Sequence, residues 1–157
     1  MQNVAQGIDD DISLYKIVDQ LLEQEDQIKT RIGTSKTAYR RVHERLASSI
    51  DKILEKLRNY KYEEGKNIDI KDIAGSALAD LARSKILLNY QNARGQISDD
   101  LKSILESIVD KLAKDIESIQ SSDSQKLEEL RKKLERARTL IDVIAVLVYK
   151  KEKARES

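Results

Sequence analysis

Apolar residues recur at helical spacing over most of the chain, and four of the five stretches so marked carry a start signal ahead of them. Ile12, Tyr15, Val18, Leu21, Leu22 and Ile28 fall three and four apart behind Asp9, Asp10 and Asp11, which suit the positive end of a helix dipole, so a first helix is predicted over about 11–31. Gly33 breaks the pattern, and Thr34 or Ser35 can cap a second helix over about 36–62 with the stripe Tyr39, Val42, Leu46, Ile50, Ile53, Leu57 and Tyr60. A polar loop with Gly65 leads to Asp69, which can cap a third helix carrying Ile70, Ile73, Ala77, Leu81 and Leu88 and stopped by Gly95. Ser98, Asp99 and Asp100 open a fourth helix whose stripe Leu101, Ile104, Leu105, Ile108, Leu112, Ile116 and Ile119 is the cleanest in the chain.

Ser121 to Ser124 hold no apolar anchor and read as a linker, which predicts a bundle domain over 1–122 and a helical extension over 123–157. In the extension Leu127, Leu130, Leu134, Ala137, Ile141, Ile144 and Val148 alternate by three and four, the seam of a packed or coiled helix and a candidate oligomerisation interface. Residues 143–149 are dense in β-branched side chains, so an extended segment competes with helix there. The predicted fold class is all-α, a helical bundle of about five helices with a long second-helix hairpin and a coiled-coil-like C-terminal helix. No solenoid repeat or low-complexity tract is present.

Composition narrows the chemistry. The 157 residues contain no Cys, Pro, Phe or Trp, so aliphatic side chains and 6 Tyr must build the core, and disulfides and thiolate metal sites are excluded. No apolar run approaches the ~20 residues of a membrane span, and the acidic start is unlike a signal peptide, so a cytoplasmic protein is expected. The formal charge is +1, yet it is distributed in blocks: residues 1–30 carry 2 basic and 7 acidic side chains, and residues 31–62 carry 9 and 3. Residues 96–125 carry 3 and 7, and residues 126–157 carry 10 and 6, a pattern that suits helices pairing acidic faces with basic ones.

Candidate sites are few. The one histidine, His43, is followed by Glu44, but adjacent helical residues point ~100° apart and do not form a dyad. Asp9 to Asp11 lack the alternate ligand spacing of a calcium loop, Gly65-Lys66 lacks the rest of a phosphate loop, and no Glu-x-x-His pair is present, so no catalytic, cofactor or metal residue is expected. Arg41, Arg45, Lys52 and Lys56, spaced by four, seven and four with Ser48 in the gap, line one side of the second helix and form the candidate stripe for a nucleic-acid backbone or an acidic partner. The cluster Arg131, Lys132, Lys133, Arg136 and Arg138 is interleaved with Glu128, Glu129 and Glu135 and reads as a solvated helix flank. Ala74, Gly75, Ser76, Ala77, Ala79 and Ala82 make the third helix one that a neighbour can approach closely, and Arg83 and Lys85, two cations in the apolar turn that follows, need partners and are candidate interface residues.

The order of elements resembles the helical domain of GINS subunits, most closely the archaeal subunit related to eukaryotic Sld/Psf-type proteins. The resemblance rests on the long helix from Tyr39 to Tyr60, the loop from Glu63 to Asn67, the segment Ala82-Arg83-Ser84-Lys85-Ile86 running to Gly95, and the helix from Ser98-Asp99-Asp100 to Ile119. Arg83 lies two residues before Lys85 where the family spaces them by three, and the residues after 122 are too few for the family's small β-rich domain. The resemblance therefore implies a shortened, non-catalytic DNA-replication scaffold that joins a second GINS-type subunit and bridges an MCM helicase and a RecJ-like protein. A small nucleic-acid-binding subunit of a ribonucleoprotein complex and a self-associating coiled-coil protein are the competing readings. In each an oligomer, homomeric or heteromeric, is expected.

Overall fold

The computed structural model describes residues 3–23, 34–62, 69–119 and 124–156. Among them every regular element is helical. A 3-10 turn, Val4–Ile8, precedes α1 (Asp11–Glu23), α2 (Lys36–Tyr62), α3 (Ile70–Ala93), α4 (Asp99–Glu117) and α5 (Ser124–Glu156). The expected helices of a bundle are thus present. The segment 24–31 expected to continue α1, the Gly65-Lys66 pair and the linker at 121–123 lie outside the described residues. No described helix is long and apolar enough to cross a membrane.

The starts are set by short polar side chains. Asp10 Oδ1 accepts from the Ser13 backbone N–H at 2.8 Å, Asp69 Oδ1 from the Lys71 N–H at 3.0 Å, and Ser98 Oγ from the Leu101 N–H at 3.2 Å. Each supplies an acceptor to an N–H that the first helical turn leaves unpaired. The bonds from Ser13 hold the Asp10 carboxyl below the usual range. α3 ends in a left-handed turn: Gly95 has φ +73°, and the Gln96 N–H reaches back to the Gln91 carbonyl at 2.9 Å. That turn is tied to the start of α2, where the Ser35 N–H donates to the Gln96 carbonyl at 2.8 Å and Thr34 Oγ1 accepts from the Ser98 N–H at 3.2 Å.

α2, α3 and α4 pack in chain order, and α5 closes the bundle against α2 and α4. α1 and the Val4–Ile8 turn sit over α5 and α4. One apolar core runs through all of these elements. The α4 stripe is in it as spaced, with Leu101, Leu105, Ile108, Leu112 and Ile116 buried. α5 contributes Leu130, Leu134, Ile141, Ile144 and Val148 to the same core as Leu46 and Ile50 of α2. Residues 143–149 are helical, because Val143, Ile144, Leu147 and Val148 all find apolar neighbours on the inner side of α5.

Two features depart from the periodicity. Val4, Ala5 and Ile8 are buried ahead of any predicted element, with Gly7 set so close to Leu140 that a Cβ there would lie 3.1 Å from its Cδ2. On α1 the inward residues are Ile17 and Leu21, with Leu14 and Val18 half-buried, whereas Ile12 and Tyr15 are 70% and 72% exposed.

Candidate interaction surfaces

The basic stripe of α2 lies along the side that faces α3, and α3 takes up part of it. Arg45 is 3.9 Å from Asp80, and Lys56 Nζ donates to Ser76 Oγ at 2.6 Å. Between them the buried Ser49 and Ser84 hydroxyls share a hydrogen bond of 3.0 Å. Arg41 and Lys52 point outward and are exposed. Eleven residues of helix, at 1.5 Å per residue, put these two about 16 Å apart. The four cations thus divide into two that join helices and two that face solvent.

The other charged candidates are also engaged within the chain. Lys85 meets Asp110 of α4 at 2.7 Å, and that hydrogen bond raises its pKa above the ordinary lysine value. Arg83 lies 3.5 Å from Asp80 and is mostly exposed. Each residue of the Asp9 to Asp11 cluster has a structural use: Asp9 pairs with Lys111 of α4, Asp10 caps α1, and Asp11 pairs with Arg136 of α5 at 2.8 Å. Lys133 of α5 lies 3.4 Å from Asp115 of α4. Asp11–Arg136 and Asp115–Lys133 each pair an acidic block of the sequence with a basic one, whereas Asp9–Lys111 joins two acidic blocks. Arg131 is gripped on its own helix by Glu128 and Glu135, bonds that raise its pKa.

His43 has a partner that no local motif announces. Its Nε2 is 3.1 Å from Asp142 Oδ1 of α5, 99 residues away in sequence. Asp142 also accepts from Arg138, which reaches Asp51 of α2 at 3.2 Å. The cluster clamps α2 to α5. The neighbouring Tyr39 is fully buried and donates to the Ile141 carbonyl at 3.3 Å, so its hydroxyl is not poised toward the imidazole. Glu44 is exposed and takes no part.

An inner crevice lined by Ile53, Leu57, Ile70, Ile73, Ile116 and Leu130 has room for about 10 Å³ and presents no polar atom. A broad depression along α4, edged by Asp99, Lys102, Glu106 and Asp110, is open to solvent. Among the described residues no group of three His, Asp or Glu is placed to hold a metal ion.

The candidate seam of α5 is seated on this chain's own helices. Leu130, Leu134, Ile141, Ile144 and Val148 are buried and Leu127 is half-buried, so in this structure they do not present an apolar face outward. The large apolar side chains that do face outward are Ile12, Tyr15 and Leu22 on α1, Ile86 and Tyr90 on α3, the latter two 69% and 56% exposed, and Val146 on α5, off the predicted seam. Ile12 and Tyr15 share the helical spacing that marks a core stripe, whereas Ile86 and Tyr90 lie off the stripe from Ile70 to Leu88 and carry no local signal of exposure. Comparison with protein-family models, with curated proteins and with solved structures finds no match to this chain.

Proposed function

We propose that the chain is a non-catalytic assembly subunit, a rigid helical block whose work is to hold other macromolecules together. The observation that carries this reading is the pairing of exposed apolar helix faces with internally spent polar groups. Ile12 and Tyr15 on α1 and Ile86 and Tyr90 on α3 lie in water. The groups that catalysis would require, His43 and the Asp9 to Asp11 cluster, are engaged in capping and in joining helices. Exposed contiguous apolar surface is characteristic of protein–protein contact.

The specific form suggested by the order of elements is a GINS-like replication scaffold, with a second GINS-type subunit, an MCM helicase and a RecJ-like protein as partners. Purification of the tagged chain from its source organism is expected to bring down a protein partner in stoichiometric amount. A replicative helicase among the partners supports the specific form. Recovery of the chain alone, at a level of expression close to natural, counts against the assembly reading.

A second reading has its own observation in the outward-facing Arg41 and Lys52. Two cations neutralise two phosphates, for which the logarithm of affinity on duplex DNA falls with log salt at a slope of about −1.8. A nucleic-acid subunit using the whole stripe gives about −3 to −4, so titrations at several salt concentrations decide between a surface that brushes nucleic acid and one built to bind it.

A further inference from the structure

α3 is unlike the other helices in where it puts its charge. Its 24 residues carry only Lys71, Asp72, Asp80, Arg83 and Lys85, in a chain that is 36% charged. α2 and α4 cover two of its sides, yet Gly75, Ala79, Ala82, Ile86, Tyr90 and Ala93, spaced by four, three, four, four and three, are all exposed. They form one uncharged stripe along the outer face. A Cβ placed on Gly75 meets nothing within 4 Å. None of the five charges of α3 falls on this stripe, and an uncharged helix face is the part that another element normally covers, whereas here it is left open.

The order of sizes along the stripe points to what covers the rest. The N-terminal half is small, with Gly75 and Ala79, and the C-terminal half is large, with Ile86 and Tyr90. Gly75 and Tyr90 are equidistant from the Ala82–Arg83 peptide bond, and so are Ala79 and Ile86. We propose that α3 packs antiparallel on α3 of a second copy of this chain, about a two-fold axis at Ala82–Arg83. This deepens the assembly reading and rests on it.

In that arrangement Ile86 enters the space over the partner's Ala79, and Tyr90 the space over the partner's Gly75. Each large side chain of one copy meets a small one of the other, the fit that an isologous contact requires. The charges agree. Arg94, whose guanidinium lies 5.5 Å from the centre of the Tyr90 ring, arrives at the end of the stripe where the partner's Asp72 is exposed. Arg83, nearest the axis, has Asp80 at 3.5 Å beside it, which offsets the approach of two like charges.

A helix of this length is about 36 Å long and about 10 Å across, which gives a strip on the order of 350 Å² per copy. That is below the ~800 Å² per partner of a standard stable interface, so the dimer is reversible, with a Kd on the order of micromolar.

Sedimentation of the full chain over roughly 1–200 μM, a window that brackets such a Kd, is expected to show a monomer–dimer equilibrium. Ile86→Glu, at an exposed position where helix content should not change, is expected to weaken the dimer at least about tenfold by placing a carboxylate in the seam. The absence of native cysteine makes crosslinking clean. Ala82→Cys is expected to join two copies under mild oxidation, whereas Gly75→Cys should not, because its two sites lie about 22 Å apart along the antiparallel pair.

A monomer throughout the range overturns the proposal and leaves the assembly reading to the copurification experiment. A dimer indifferent to Ile86→Glu overturns the placement on α3. Ready crosslinking through Gly75→Cys overturns the antiparallel arrangement.

Discussion

Tyr39 joins burial to pH dependence at a single residue. Burial raises its pKa above the ordinary value of 10.0, and the nearby Tyr149 and Asp142 push in the same direction. At alkaline pH the folded state therefore holds a proton that the unfolded chain gives up. Its contribution to stability is complete below about pH 10 and is lost as pH rises beyond that. The hydrogen bond to Asp110 also raises the pKa of Lys85, so the comparison that isolates the tyrosine is between the native chain and Tyr39→Phe. The variant is expected to be less stable by about 1 kcal/mol at neutral pH, from the lost hydrogen bond, and to decline less steeply above pH 10 in urea denaturation. Two glycines give opposite outcomes in the same assay. Gly75 is mid-helix with open space around it, so Gly75→Ala is expected to stabilise the monomer by about 0.5–1 kcal/mol. Gly95 has φ +73°, where a Cβ is strained, and Gly95→Ala is expected to cost about 1 kcal/mol.

Between elements, the join most exposed to a single change is that of α5 to the N-terminal turn. Arg136, 13% exposed, donates to Asp11 at 2.8 Å and to the Ile8 and Asp9 carbonyls at 3.1 and 3.4 Å. Arg136→Met is expected to lose about 2 kcal/mol, since it removes charge-assisted bonds to two backbone carbonyls along with the ion pair. Asp11 is 87% exposed, and Asp11→Ala is expected to cost no more than about 0.5 kcal/mol. Denaturant midpoints of the two variants separate the backbone contact from the ion pair. This join also shows where the sequence is readable. The α4 stripe from Leu101 to Ile116 was legible because nine charges in nineteen residues leave only one way to turn the helix inward. α1 was read only in part: Ile12 and Tyr15 share the spacing of Leu21, and nothing local says which arc meets α5. The α5 seam was legible as a packed face, but its partner was not, since heptad-like spacing specifies contact without naming the other helix. The Arg45–Asp80 and His43–Asp142 pairs, 35 and 99 residues apart, required the tertiary fold.

For the whole molecule, the single core has a direct consequence for the boundary expected near residue 122. Leu134, Leu140 and Ile141 are fully buried and share that core with Tyr39 and Ile50. A fragment ending at 122 would leave the facing surfaces of α2 and α4 in water, so it is expected to lack a cooperative thermal transition where the full chain has one. Leu134→Ala in the full chain is expected to cost about 2–5 kcal/mol. A 1–122 fragment that melts cooperatively, with dispersed amide resonances, would show instead that α5 only decorates an independent bundle.

The packing of α2, α3 and α4 in chain order bears finally on the speed with which the native state is reached. Contacts between consecutive helices need little loop closure, and bundles built on them fold in microseconds to milliseconds. The exceptions are the closure of α5 on α2, where His43 meets Asp142 99 residues on, and the Val4–Ile8 turn, whose bond to Arg136 spans 128 residues. The barrier is therefore expected to be crossed with the consecutive helices paired and both long-range joins still open. In stopped-flow chevrons Leu88→Ala, within α3, should slow refolding. Val4→Ala should leave the refolding limb in place and raise the unfolding rate. The N-terminal turn and α5 would thus be the last parts to find their places.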